Sequence, residues 1–147
     1  MSASEEILDS PTGWVAEHIH TYLESDGARG HHYQGQDTLL LITRGRKSGK
    51  LRRTALIYGR DGERYLVVAS NGGANKHPLW YLNLLSSPSV DVQVGAEVFA
   101  AVARPADDEE KPALWQIMAA IFPTYEQFQK KTTRPIPVVI IERSGSS

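Results

Sequence analysis

Between Thr38 and Arg60 the chain holds no Asp or Glu, yet it carries Arg44, Arg46, Lys47, Lys50, Arg52, Arg53 and Arg60. Six of these seven cations fall within residues 44–53, around the sequence GRKSGK. Guanidinium forks and ammonium point charges grouped in this way suit phosphate and carboxylate oxygens. Such binding has to be local, because 16 Lys and Arg against 17 Asp and Glu leave a net charge of −1 over 147 residues. A generally basic nucleic-acid coat is thereby excluded. GRKSGK is not a phosphate-binding P-loop: three residues separate Gly45 from Gly49-Lys50 where that motif has about four, and Leu51 stands where Ser or Thr would hold magnesium. A strand pattern also follows it where a helix is required. With no basic helix and no row of exposed aromatics beside the cluster, DNA is not its expected partner. The plain alternative is a solvated turn whose charges keep a sheet edge from pairing.

Ser70-Asn71-Gly72-Gly73 is the second candidate. It leaves a β-rich run shortly before Pro78 and an apolar helical pattern, so free N–H groups and small side chains gather where a polar ring edge or an anion could approach. A glycine-rich turn that merely reverses the chain would look the same. The histidines at 18, 20, 31, 32 and 77 raise the question of a metal, but His18 and His20 are two apart on a helical pattern and share no face, so no metal ligand is assigned. Trp80, Tyr81, Trp115, Phe122, Tyr125 and Phe128 supply aromatic surface, most of it expected in the core. The chain has no cysteine, which removes disulfides, thiolate nucleophiles, Cys-ligated zinc and iron–sulfur clusters. Nor does it show a Ser-His-Asp order, a nucleophile elbow or paired carboxylates. A bound organic cofactor carrying the chemistry would explain that pattern.

These residues need a scaffold, and the hydrophobic periodicity supplies one. With 41% hydrophobic and 22% charged residues the composition is that of one globular domain, placed at 12–143 between a loose N-terminus (1–11) and a short tail (144–147). Trp14, Ile19, Tyr22 and Leu23 recur at helical spacing over residues 12–25, and His31, His32, Gly35 and Asp37 read as a loop. LLLIT (39–43), TALIY (54–58) and YLVVA (65–69) read as strands, with Asp61-Gly62 a hairpin signal, and their short connections predict an antiparallel meander. Pro78 is expected to start a short helix over Leu79–Leu85, and Val90–Val94 and Val98–Ala103 form a second hairpin. Helical pieces follow over Leu114–Phe122 and Pro123–Lys131, and IPVVII (136–141) is a last strand whose Pro137 marks an edge or a strand start.

The run LLLITRGRKSGKLRRTALIYGRDGERYLVVASNGGANKHPLWYLNLLSSPSVDVQVG, continued by IFPTYEQF and IPVVIIER, resembles the deazaflavin-dependent nitroreductases, also called F420H2-dependent quinone reductases. The resemblance covers about residues 12–143, with several separated motifs in family order. It implies an α+β split β-barrel of the FMN-binding, pyridoxamine-phosphate-oxidase-like kind, mainly antiparallel with flanking helices, and coenzyme F420 in place of FMN. It places Arg46, Lys47 and Ser48 at the cofactor's anionic tail, with Arg52, Arg53, Thr54, Ala55, Leu56 and Ile57 continuing along the groove. Val68, Ala69, Ser70 and Asn71 match a strand end that lies along the ring. Leu79, Trp80, Tyr81, Leu82 and Asn83 match the helix that completes the pocket. Ser70 and Tyr125 are the implied catalytic residues, the first polarising ring or acceptor and the second closing the site.

Asn71 stands where family members can carry Lys, Phe122 and Phe128 where they can carry tyrosines, and Ile57 where a substrate-facing tyrosine can occur. The lost hydroxyls favour a quinone as acceptor over a nitroimidazole. The implied activity is hydride transfer from F420H2 to a quinone-like acceptor, against an FMN oxidoreductase on the same barrel or a non-catalytic deazaflavin carrier. No nucleic-acid partner is expected. The compartment read from the acidic N-terminus and the lack of a ~20-residue apolar span is the cytoplasm. Contact with the inner membrane face is disfavoured, because no Lys or Arg lies between Thr12 and Ala28.

Overall fold

The computed structural model describes residues 7–9, 32–33 and 36–144. The helix expected over residues 12–25 lies outside them. Among the described residues nine strands share one sheet: β1 (Ile7–Asp9), β2 (His32–Tyr33), β3 (Gln36–Arg44), β4 (Leu51–Ile57), β5 (Gly59–Asp61), β6 (Arg64–Val68), β7 (Ser89–Val94), β8 (Glu97–Pro105) and β9 (Val138–Arg143). Their order is β1-β4-β3-β7-β8-β9-β6-β5, with β2 paired to β3. All pairs are antiparallel except β1 with β4. Since β4 and β5 lie far apart in that order while only Tyr58 separates them in the chain, the sheet has to curl until its two sides meet.

That geometry corrects the expected meander. The hairpin at Asp61-Gly62 forms, with Gly62 at φ +63°, but β6 pairs with β5 and β9 and has no register with β4. The chain changes sides at Gly59, where a Cβ would sit 2.7 Å from both Met118 Sδ and Ile121 Cδ1, so the bare Cα lets the strand pass beneath the helix without moving those side chains. Two stretches read as loose or looping are strands. Ile7–Asp9 extends the sheet beside β4, and His32–Tyr33 folds back on β3. Pro137 marks a strand start: its carbonyl accepts from Ala69 N at 3.0 Å, and β9 then runs between β8 and β6 rather than along an edge.

Alternation divides the strands between two cores. On the concave face Leu39 and Leu41 (β3), Tyr65 and Val67 (β6), Val90 and Val92 (β7), Phe99, Ala101 and Ala103 (β8), and Val139 and Ile141 (β9) pack together with Ala69. Helix α1 (Leu79–Ser86) lays Tyr81 and Leu84 on this core. On the convex face Leu66, Val68, Val138 and Ile140 meet Leu114 and Met118 of α2 (Lys111–Ile121) and Tyr125 of α3 (Thr124–Lys130). Pro78 caps α1 instead of opening it, its carbonyl accepting from Tyr81 N at 3.1 Å. The acids before α2 likewise precede its first turn, where Asp107 Oδ1 accepts from Glu109 N (3.0 Å) and Glu110 N (2.8 Å). The apolar patterns settle which residues are inside; Pro78 and the turn at Asp107–Glu110 mark where the two helices start.

Candidate cofactor site

The cationic segment is a closed turn between β3 and β4. Gly45 N donates to Lys50 O and Gly49 N to Gly45 O, each at 2.8 Å, and Gly49 takes the left-handed φ of +71°. Ser48 Oγ accepts from Lys50 N at 3.2 Å, so its hydroxyl serves the turn itself. The Arg44 guanidinium donates to Gly49 O across the same turn. Arg46, Lys47, Lys50 and Arg52 are exposed, and among the described residues none of these four forms an ion pair.

Asn83 fixes this turn to α1. The residue is 7% exposed; its Nδ2 donates to the buried Thr43 Oγ1 at 3.2 Å, and its Oδ1 accepts from Arg46 N at 3.2 Å. Its amide is therefore committed to the protein, tying the Arg46 backbone to α1 and β3. The opposing pairs Thr43↔Arg52, Leu41↔Thr54 and Leu39↔Leu56 put Arg52, Thr54 and Leu56 on the concave face beneath α1. Arg53, Ala55 and Ile57 oppose Ile42, Leu40 and Thr38, and so take the convex face. The structure thus brings together alternate members of the run Arg52–Ile57 and separates the rest.

Similar sorting applies at the end of β6. Val68 belongs to the convex core and Ala69 to the concave one, while Ser70 is half-buried just beyond the strand. Asn71 sits at φ 48°, a left-handed conformation that Asn tolerates, and its Nδ2 donates to Lys76 O at 3.0 Å. On α1, Leu79 is 73% exposed, Trp80 and Leu82 flank the concave core, and Tyr81 is buried with its ring 4.7 Å from that of His77. Burial pushes the Tyr81 hydroxyl above the ordinary phenol range, opposed by Arg134.

Tyr125 lies apart from these groups. Its ring is 5% exposed in the convex core, 5.1 Å from Phe122 and 6.4 Å from both Trp115 and Phe128. Burial raises its pKa far above the phenol range, so the hydroxyl keeps its proton and stays neutral. What reaches the Ser70 loop is the backbone of α3: a Cβ on Gly73 would meet Phe128 O at 2.9 Å.

One participant has no signal in the sequence pattern. Arg134 donates from Nε to Ala74 O (2.8 Å) and from Nη2 to Ser70 O (2.9 Å) and Ala69 O (3.3 Å), while Nη1 lies 3.2 Å from His77 Nδ1. A single Arg between Thr133 and Pro135 carries no periodicity, and its partners are up to 65 residues away.

The donor set left for a ligand is therefore an open cationic turn at one end of the α1 face and a polar strand end at the other, with aromatic surface between them. That set suits a long molecule with an anionic tail and a planar ring, as the deazaflavin coenzyme is. A family profile of F420H(2)-dependent quinone reductases matches residues 14–143. The chain belongs to that family. An F420H(2)-dependent quinone reductase of Mycobacterium tuberculosis is 41% identical to it over 130 residues, 86% of this chain and 87% of the relative. A solved F420-H2 dependent reductase superposes with a TM-score of 0.66 at 40% identity, covering 71% of this chain and 93% of the other. A pyridoxamine 5'-phosphate oxidase-like protein of Listeria innocua superposes with a TM-score of 0.53 at 14% identity over 73% of this chain and 83% of its own, a likeness of fold alone. The split barrel expected from the sequence is thus the fold of this quinone reductase family member, and F420H2 is the family's reductant. Among the described residues no helix is long and apolar enough to cross a membrane.

Proposed function

We propose that this chain carries out its family's reaction, hydride transfer from F420H2 to a quinone, in the space between the cationic turn and the end of β6. The observation that supports this most is that Arg46, Lys47, Lys50 and Arg52, on a turn held by its own bonds and by Asn83, form no ion pair among the described residues. When bound, the reduced deazaflavin supplies the hydride. Everything else falls to the protein. Arg46, Lys47 and Arg52 hold the anionic tail; Leu79 and Trp80, over the buried Tyr81, offer the ring an apolar bed; Ser70, next to a strand end whose carbonyls are already engaged, presents its hydroxyl as donor to ring or acceptor. Tyr125 acts from behind this surface by anchoring α3 against the loop. Phe122 and Phe128 contribute packing and no hydroxyl, which supports an apolar quinone as acceptor over a nitroimidazole.

The test is direct. Purified protein is mixed separately with F420H2, reduced FMN and NADPH, and oxidation of each by menadione is followed. Binding and oxidation of F420H2 alone is the expected result. Oxidation of FMN alone would move the reading to a flavin enzyme, and F420 binding without menadione-dependent oxidation would make the protein a carrier.

A further inference from the structure

We infer that Arg134 is a positioning residue for the strand-end loop, gathering Ala69, Ser70, Ala74 and His77 around one guanidinium so that the Ser70 side of the site is built before any ligand arrives. The inference rests on the reading of that site given above. Four acceptors spread over nine residues converge on a single planar group, each direction of its fork used by a different part of the loop. Since a guanidinium only donates, His77 Nδ1 must accept, which puts the imidazole proton on Nε2. Burial, with Arg134 second, lowers the His77 pKa and keeps that neutral form.

Arg134 is itself held. Its N–H donates to Thr132 Oγ1 at 3.3 Å, Thr132 Oγ1 donates to Asn75 Oδ1 at 2.7 Å, and Gln129 Nε2 donates to Arg134 O at 2.8 Å while its Oε1 accepts from Ile136 N at 2.9 Å. Among the described residues no carboxylate pairs with it. A cation kept half-buried on neutral dipoles alone has two effects. It occupies the carbonyls at the end of β6, so that what this end offers a ligand is the donor side, and it places fixed positive charge behind the loop. Lys cannot reproduce the first effect, because an ammonium has no planar fork to span three carbonyls and an imidazole nitrogen.

Amide hydrogen exchange, read without any ligand, tests the idea in R134K and R134A. Expected is a rise of about tenfold or more in exchange over residues 70–77 in both variants, with the β7–β8 hairpin unchanged. In single-turnover experiments with F420H2 and menadione, the hydride-transfer rate should fall by about tenfold or more while F420 affinity, set by the distant cationic turn, moves less than about threefold. Millimolar guanidinium should restore part of the rate in R134A and none in R134K. Should R134A fail to fold, T132V, which keeps the Arg and removes its bracket, is expected to show the same local exchange in weaker form. A folded R134K with native exchange over 70–77, or with exchange raised equally throughout the sheet, would overturn the inference. Local exchange rising in R134K while the unsubstituted protein fails to bind F420 would uphold it and overturn the cofactor reading.

Discussion

Two basic regions of this sheet contrast. In the first, at the β5–β6 hairpin and the start of α2, Arg64 pairs with Asp61 and lies 3.6 Å from Glu110, and Glu110 in turn takes Arg104 at 2.8 Å. Nearby Arg143 pairs with Glu97 at 2.8 Å and stacks 4.0 Å over Phe99. In the second, the turn at 44–53, Arg46, Lys47, Lys50 and Arg52 have no such partners among the described residues. Three Arg stand in the first region and six Lys and Arg in the second. The difference lies in the carboxylates, and it teaches that positive charge becomes a candidate site only where the fold withholds its counter-charge and orients the backbone that bears it.

The largest effects should come from exchanging these roles. Lys47→Ala and Arg52→Ala are each expected to weaken F420 binding about 10- to 150-fold, the loss of one charge-assisted contact, and more steeply at low salt. Arg104→Ala should leave the F420 dissociation constant unchanged. Fluorescence titration at two ionic strengths decides it, and equal losses in all three variants would erase the contrast between the regions.

Next come the fixings. Asn83→Leu keeps the side-chain volume but strands the Thr43 hydroxyl and frees Arg46 N, so a loss of about 1–3 kcal/mol in stability is expected, together with weaker F420 binding. Lost stability with native affinity would mean that the turn does not need its tether. Gly73→Ala acts at the other end. At φ +83°, with Phe128 O only 2.9 Å from the new Cβ, the left-handed conformation alone costs about 1–2 kcal/mol and the backbone contact adds to it. A melting temperature within a degree or so of the unsubstituted protein would contradict that packing.

How much of this was legible beforehand follows the range of each interaction. Six of the nine described strands, the two hairpins and the helices could be read because alternation, helical spacing and Asp-Gly are local signals, whereas the short β1, β2 and β5 were read as loose, loop or turn. The acid-free stretch was legible because absence of charge shows in one dimension. The break of the meander was not: it depends on Gly59 sliding under Met118 and Ile121, some sixty residues on. The division of Arg52–Ile57 between two faces follows from strand period, yet which face holds the site needs α1 and the Asn83–Thr43 bond. Arg134 was invisible for the same reason, all four of its partners being remote. Tyr125 was legible by family likeness, and the structure puts its ring in the convex core rather than beside Tyr81.

That placement makes Tyr125→Phe a modest test. The ring packing survives the change, so the fold should hold, with quinone turnover lowered severalfold if the hydroxyl donates near the acceptor. Because burial keeps the phenol protonated, turnover lost in the variant should be lost equally across the neutral pH range. A loss that fades toward high pH would contradict this, because the phenol would then be titrating in that range.

The smallest effect expected belongs to the paired region, and it has a pH signature. Glu110 is held at a pKa of about 2 against an ordinary 4.5, first by its bond with Arg104, then by the backbone N–H of Asp107 and the charges of Arg104 and Arg64. A depressed carboxylate pKa means that the folded state binds the proton less readily than the unfolded one. Its contribution to stability is therefore complete above the ordinary value of 4.5 and is lost as the pH falls toward 2. In Glu110→Gln the denaturant midpoint should start slightly lower at neutral pH and fall less over that acid window, and the two curves should converge below it. The group is exposed, so the gap at neutral pH stays small. Parallel curves throughout would mean that Arg64 and Arg104 gain nothing from this partner, and that the counter-charges separating the two basic regions matter only for what the open one is free to bind.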